Sequence, residues 1–170
     1  MDREGFMDFN TRFSAENSGK AASYATAIQI LDEVLKHQNV IKLHGQSLYD
    51  IEDVAVIKEV LELVKVEVGK MRKSQPSIFD YGKPNQKSYP LNNFCSAALT
   101  SLIEYALCEG AEMIVRQESD PHAISTKLIK YFDLTKEGED VTSASKRRRG
   151  QDYFRRLILA DYGNRCALTG

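Results

Sequence analysis

Histidine is scarce in this chain: three residues in 170, His37, His44 and His122. They show no H-x-x-x-H spacing and no C-x-x-C pair accompanies them, so the sequence carries no ligand pattern of a transition-metal centre. They read as surface or helix-end side chains. Cysteine is as sparse. Cys95, Cys108 and Cys166 are odd in number and far apart, which argues against a disulfide framework. Cys95 and Cys108 sit in an apolar helical pattern, where cysteine acts as a small hydrophobe. No apolar run approaches the roughly 20 residues of a membrane span. The first six residues, Met-Asp-Arg-Glu-Gly-Phe, lack the basic and apolar regions of a secretion signal. No membrane partner and a cytoplasmic location are therefore expected.

What the chain does contain is helical periodicity. A hydrophobic fraction of 42% and a charged fraction of 28% are ordinary for a soluble globular protein, and 170 residues suffice for one domain or two small helical ones. Phe6, Phe9 and Phe13 anchor a short first helix. From Ser14 to Lys36, Tyr24, Ile28, Leu31 and Leu35 form an apolar stripe behind several cap candidates. After a turn at Gly45 and the segment Ser47–Ile51, the residues Val54, Ile57, Leu61, Val64, Val68 and Met71 recur by threes and fours over Asp53 to Arg72. Fewer than three full heptads favour a packed helix over a coiled coil.

Pro76, Gly82, Pro84 and Pro90 mark a loop in which Lys83, Lys87 and Tyr89 are placed to reach a phosphate. A central helix is predicted over Asn92 to Leu107, with Phe94, Ala98, Leu102 and Tyr105 on one side and Leu91, Cys95, Leu99, Ile103 and Ala106 widening the face. Asp120 and Pro121 supply an N-cap and a first helical residue, after which Ile124, Leu128, Ile129 and Phe132 face inward. No strand is convincing before Cys166. The fold class expected is all-α: a small multi-helix domain over residues 1–135, a basic linker over 136–150, then one linker helix and a truncated strand over 151–170.

A net charge of −1 conceals a separation. Between Lys146 and Arg165 there are seven basic residues against Asp152 and Asp161, a local +5 that leaves −6 for the rest. Positive charge gathered on one segment is the footprint of phosphate contact, because each neutralised phosphate releases counterions. A solvated, charged helix face would show the same composition.

The segment Gly150–Gly170 narrows that choice. Phe154, Leu157, Ile158 and Tyr162 lie at helical spacing, Arg155 and Arg156 face away from them, and Gly163 stands where a helix ends. Phe154, Arg155, Ile158, Leu159, Tyr162, Gly163, Arg165, Cys166, Thr169 and Gly170 follow in order the pattern F-R-x-x-[IL]-L-x-x-Y-G-x-R-C joined to C-[AV]-[IVL]-T-G. This resembles the approach to the nuclease domain of HNH restriction endonucleases. The resemblance covers about twenty residues. It implies a metal-dependent phosphodiesterase in which a histidine activates water and further His, Asn or Asp residues hold one divalent metal on a ββα hairpin. All of these lie downstream of the strand motif in the family, so a longer gene product would carry them after Gly170, whereas a gene ending there would encode a nuclease-dead remnant or a DNA-binding regulator. The chain itself is thus expected to hold no catalytic residue, no metal ligand and no cofactor, although a full-length family member would use a divalent metal. DNA is the expected partner, and Lys146, Arg147, Arg148, Arg149, Arg155 and Arg156 are the expected phosphate contacts.

A looser resemblance spans residues 14–107. Ser18-Gly-Lys-Ala-Ala-Ser-Tyr24 and Ser96-Ala-Ala-Leu99 are similar to helix starts in the helical modules that precede HNH and other restriction nuclease domains, and to those in arm-type domains of tyrosine recombinases. It implies that Ser18, Lys20, Ser23 and Tyr24 stand beside phosphate at a helix N-terminus. The plainer alternative is a cap at Ser18 and a core position for Tyr24. Symmetric restriction sites go with dimers, so a homodimer is compatible, although no segment carries an interface signature. The rival function is a helical protein–protein interaction or regulatory domain without DNA contact. An active enzyme using His44 and His122 is the remaining alternative.

Overall fold

A computed structural model of the chain describes residues 1–12, 14, 18–38, 43, 45–80 and 87–131. These form six helices and no strand, the all-α class that the periodicity predicts: α1 Arg3–Arg12, α2 Lys20–Gln38, α3 Val54–Arg72, α4 Ser88–Leu91, α5 Phe94–Gln117 and α6 Pro121–Tyr131. Short 3₁₀ turns occur at Leu48–Asp50 and Ile78–Asp80. The chain divides into two compact units, the first spanning Met1–Leu107 and the second beginning at Cys108. No helix among the described residues is long and apolar enough to cross a membrane. The expected linker over 136–150 and the segment 151–170 lie outside the described residues, as do Phe13, His44 and Lys83.

In the first unit α1 packs along α2, and the core is built where α1, α2, α3 and α5 contribute Phe6, Ile28, Leu31, Ile57, Val64 and Leu99, all fully buried. Burying such side chains contributes about 1.5–3 kcal/mol each. Cys95 is likewise buried in α5, and its burial pushes the thiol up to about 12. A thiol so rarely ionised is a poor nucleophile, in keeping with a packing role.

The caps explain where helices start and stop. Asp53 accepts the Ala55 amide at 2.8 Å and begins α3. At the other end of α3, the Gln75 amide donates to the Lys70 carbonyl and the Ser74 amide to the Met71 carbonyl, both at 3.0 Å, with Ser74 at φ 55. That is a Schellman ending with serine in the left-handed position where glycine is usual. Asp120 caps α6 by accepting the His122 and Ala123 amides at 3.1 and 3.2 Å.

Helix α2 starts at Lys20, directly after the cap candidates in residues 14–19, where Gly19 adopts φ 63 and its carbonyl accepts the first helical bond, from Ser23. Several expectations need correction. Helix α5 continues ten residues past Leu107, through Glu109 and Gly110. In the second unit the Tyr131 ring lies so close to Gly110 that a Cβ there would overlap its hydroxyl, so this glycine admits a ring and does not end a helix. The proline-marked segment is not all loop, since it includes the 3₁₀ turn at Ile78–Asp80 and α4. Leu91, Phe94 and Ile129, expected on buried faces, are 40%, 38% and 42% exposed.

Candidate functional site

The six cations expected to grip DNA, Lys146, Arg147, Arg148, Arg149, Arg155 and Arg156, all lie outside the described residues. The remaining candidates have defined surroundings. At the start of α2, Lys20 Nζ sits 5.2 Å from the centroid of the Tyr24 ring, a cation–π arrangement. The Lys20 amide donates to Ser18 Oγ at 3.3 Å. Burial, and then the Glu104 carboxylate, push the Tyr24 phenol above its ordinary range. The only cation of this helix start is thus turned onto an aromatic face, which weakens the case for a phosphate seat there.

His37, in the last turn of α2, and His122, in the first turn of α6, are both exposed. Among the described residues no group of three or more His, Cys, Asp or Glu side chains is arranged to hold a metal.

Three polar arrangements inside the first unit went unread in the sequence. Asp32 of α2 accepts the Ser47 hydroxyl at 2.5 Å and the Leu48 amide at 2.8 Å, tying the 3₁₀ turn to the helix. Burial raises its carboxyl above the usual range, although the bonds from Ser47 and Leu48 and the charge of Lys36 oppose the shift. Beside it, Tyr49 Oη is buried with no hydrogen-bond partner among the described residues. Its phenol is pushed up to about 12, by burial first, with Arg3 lowering and Asp32 raising it.

Glu67 of α3 is 4% exposed. It pairs with Lys70 at 2.5 Å and accepts the Ile78 amide at 3.0 Å. Burial opposes its ionisation, but the bonds from Lys70, Ile78 and Ser77 outweigh it and hold the carboxyl below the usual range. The third arrangement joins Asn10 to Ser101 in the core. Such networks fix which way elements pack, because a slip would leave a buried group unpaired.

One surface combines aromatic and basic side chains. The Tyr89 and Phe94 rings are 5.4 Å apart at 49°, and Leu91 stands between them in sequence. From the end of α3, Arg72 Nη2 donates to Asn93 Oδ1 at 2.9 Å and to the Leu91 carbonyl at 3.4 Å. Asn93 adopts φ 62 and its carbonyl accepts the first bond of α5, from Ala97. Lys87 is held by Asp80 at 2.9 Å, while the exposed Lys73 forms no ion pair among the described residues. Of the loop residues expected to reach a phosphate, Tyr89 belongs to this ring pair, and Lys87, two residues before it in the chain, is taken up by Asp80.

Comparison with family models, with curated proteins and with solved structures returned no match. Function must be argued from the residues themselves.

Proposed function

We propose that the chain is the DNA-recognition, N-terminal portion of an HNH restriction-type endonuclease. Lys146, Arg147, Arg148, Arg149, Arg155 and Arg156 hold the duplex through its phosphates. The observation that carries this reading is the order of residues from Phe154 to Gly170, which joins a basic helical pattern, a glycine stop and a C-A-L-T-G strand motif in one register. The local charge of +5 between Lys146 and Arg165 supports it, since backbone contact by Lys and Arg supplies most sequence-independent affinity. The family's histidine base and metal ligands follow the strand motif. None of His37, His44 and His122 holds such a position, so hydrolysis is not assigned to these residues. A cytoplasmic location and a homodimer on a symmetric site accompany the proposal.

A second reading, a helical protein–protein interaction or regulatory domain without DNA contact, is favoured by one observation. In the second unit Met113 and Val115 of α5 and Ile129 of α6 are exposed, and exposed apolar side chains on a small helical unit are available to a protein partner.

Binding of a 30-base-pair duplex across a salt series, by the intact chain and by a version ending at Glu139, separates the two. The DNA reading expects log K to fall with log salt at a slope of roughly −3 to −5, given about 0.9 per neutralised phosphate, and the binding to vanish on truncation. Binding that is absent, or unaltered by the truncation, would remove the basic segment and leave the protein-interaction reading.

A further inference from the structure

Leu91 and Phe94 belong by periodicity to the apolar face of the central helix, yet both are exposed. They emerge because α4 is one turn long and is joined to α5 by Asn93 in a left-handed conformation. Asparagine is one of the few non-glycine residues that tolerate this conformation. The Arg72 guanidinium spans this turn, donating to both Asn93 Oδ1 and the Leu91 carbonyl. Ser74, also left-handed, turns the chain just beyond Lys73 on the same side of α3 in sequence. The outcome is a ring pair, Tyr89 against Phe94, with Arg72 bound to the residue before Phe94, Lys73 next to Arg72 in the chain, and Lys87 two residues before Tyr89.

We propose that this surface is a stacking site for single-stranded nucleic acid. A base lies on the exposed Phe94 ring beside Tyr89, and the flanking phosphates meet Arg72 and Lys73. Every base has a π-face, so aromatic platforms beside cations bind unpaired strands with little sequence preference. A guanidinium has five donors in a planar fork. Arg72 commits one nitrogen to Asn93 and Leu91, and its exposed position leaves the others for a phosphate. Charge selects the partner: Lys70 pairs with Glu67 and Lys87 with Asp80, which leaves the exposed Arg72 and Lys73 as a net positive charge, so an anionic strand is attracted. The site belongs wholly to the first unit and does not depend on the basic segment proposed to grip duplex DNA.

The chain has no tryptophan, so Phe94→Trp introduces a single reporter at the platform. The test uses the full chain with Lys146–Arg149, Arg155 and Arg156 all replaced by Gln, which removes the duplex grip without touching the platform. A twelve-nucleotide oligo(dT) and a poly-glutamate peptide of matched charge are the probes. Oligo(dT) should quench the Phe94→Trp fluorescence, and the affinity of a fluorescein-labelled oligo(dT), read by anisotropy, should fall about tenfold in Phe94→Ala and again in Lys73→Gln, with unchanged circular dichroism and melting temperature in each. Retention of oligo(dT) binding with loss of duplex binding would leave both proposals standing. Loss of duplex binding with no oligo(dT) binding overturns the stacking site alone. Unchanged affinity in Phe94→Ala, or quenching by poly-glutamate equal to that by oligo(dT), overturns it too, the latter outcome marking a docking face for acidic protein.

Discussion

Ser101 Oγ donates to Asn10 Oδ1 across 2.8 Å, linking α5 to α1 over a separation of 91 residues. Both side chains are buried, at 6% and 1% exposure. Asn10 completes the set by donating Nδ2 to the Phe6 carbonyl at 3.0 Å. Around this pair the surroundings are aromatic, with Tyr105 lying 6.0 Å from Phe6 and 5.5 Å from Phe9, centroid to centroid. Apolar contacts tolerate sliding, whereas a satisfied buried amide and hydroxyl do not. The pair therefore sets the register of α1 on α5.

Ser101→Ala leaves the Asn10 carbonyl oxygen buried without its donor. A loss of about 1–2 kcal/mol is expected, seen as a drop in melting temperature of roughly 4–8 °C per kcal/mol for a unit of this size. A double-mutant cycle with Asn10→Ala should return a coupling of at least about 0.5 kcal/mol. Additive effects would show that the two groups do not depend on each other.

Gly5 in α1 makes room for the same tyrosine. A Cβ at this position would overlap the Tyr105 hydroxyl, and the ring is pinned between Phe6 and Phe9. Gly5→Ala should therefore destabilise by about 1–3 kcal/mol, although alanine is the better helix former. Adding Tyr105→Phe should recover part of that loss. If Gly5→Ala instead raises the denaturant midpoint, the ring is free to move and the packing argument for Gly5 is wrong.

The sequence made some of this legible and hid the rest for physical reasons. Helix α3 was readable because its apolar residues keep a strict three–four spacing and Asp53 caps it. Asp120 and Pro121 marked α6 as clearly. The start of α2 was not readable, since Ser14 and Ser18 are both good caps and only the left-handed Gly19 decides between them. The length of α5 was hidden because Gly110 looks like a stop until the Tyr131 ring is seen against it. Phe94 misled in the opposite sense. Its spacing is that of a core residue, but Asn93 and Arg72 hold the helix start where the ring remains accessible. The candidate site was legible only as residue types: Lys87 and Tyr89 were identifiable, whereas Arg72, Lys73 and Phe94 join them through a backbone turn that no periodicity records.

Glu67 and Asp32 respond to pH with opposite signs. The Glu67 carboxyl is lowered from 4.5 in the folded chain, so the unfolded state binds more protons. Its contribution is full above the unfolded value and is lost as pH falls through the lower folded one. Asp32 is raised from 3.8, so the folded state binds more protons. Its contribution is full below that value and is lost as pH rises through the folded one. Glu67→Gln should cost about 1–2 kcal/mol at pH 7, shrinking below pH 4.5 as the wild-type carboxylate is itself protonated. Asp32→Asn should look least favourable at low pH and improve relative to wild type as pH rises. Denaturant midpoints between pH 3 and 7 check both, and parallel curves for either variant would contradict its assigned shift.

Tyr49 offers the sharpest test of the interior. Its ring lies 5.7 Å from Phe6 and belongs to the packed layer between α1 and the 3₁₀ turn, yet its hydroxyl is buried with no partner among the described residues. An unpaired buried hydroxyl costs about 1–3 kcal/mol, and removing it while keeping the ring relieves that cost. Tyr49→Phe should therefore leave stability unchanged or raise it by about 1 kcal/mol, whereas Tyr49→Ala should lower it by about 3 kcal/mol through the lost ring. Thermal melts of the two variants decide the point. A destabilised Tyr49→Phe would mean that the hydroxyl has a bound partner, with Asp32 and Arg3 as the charged groups closest to the question.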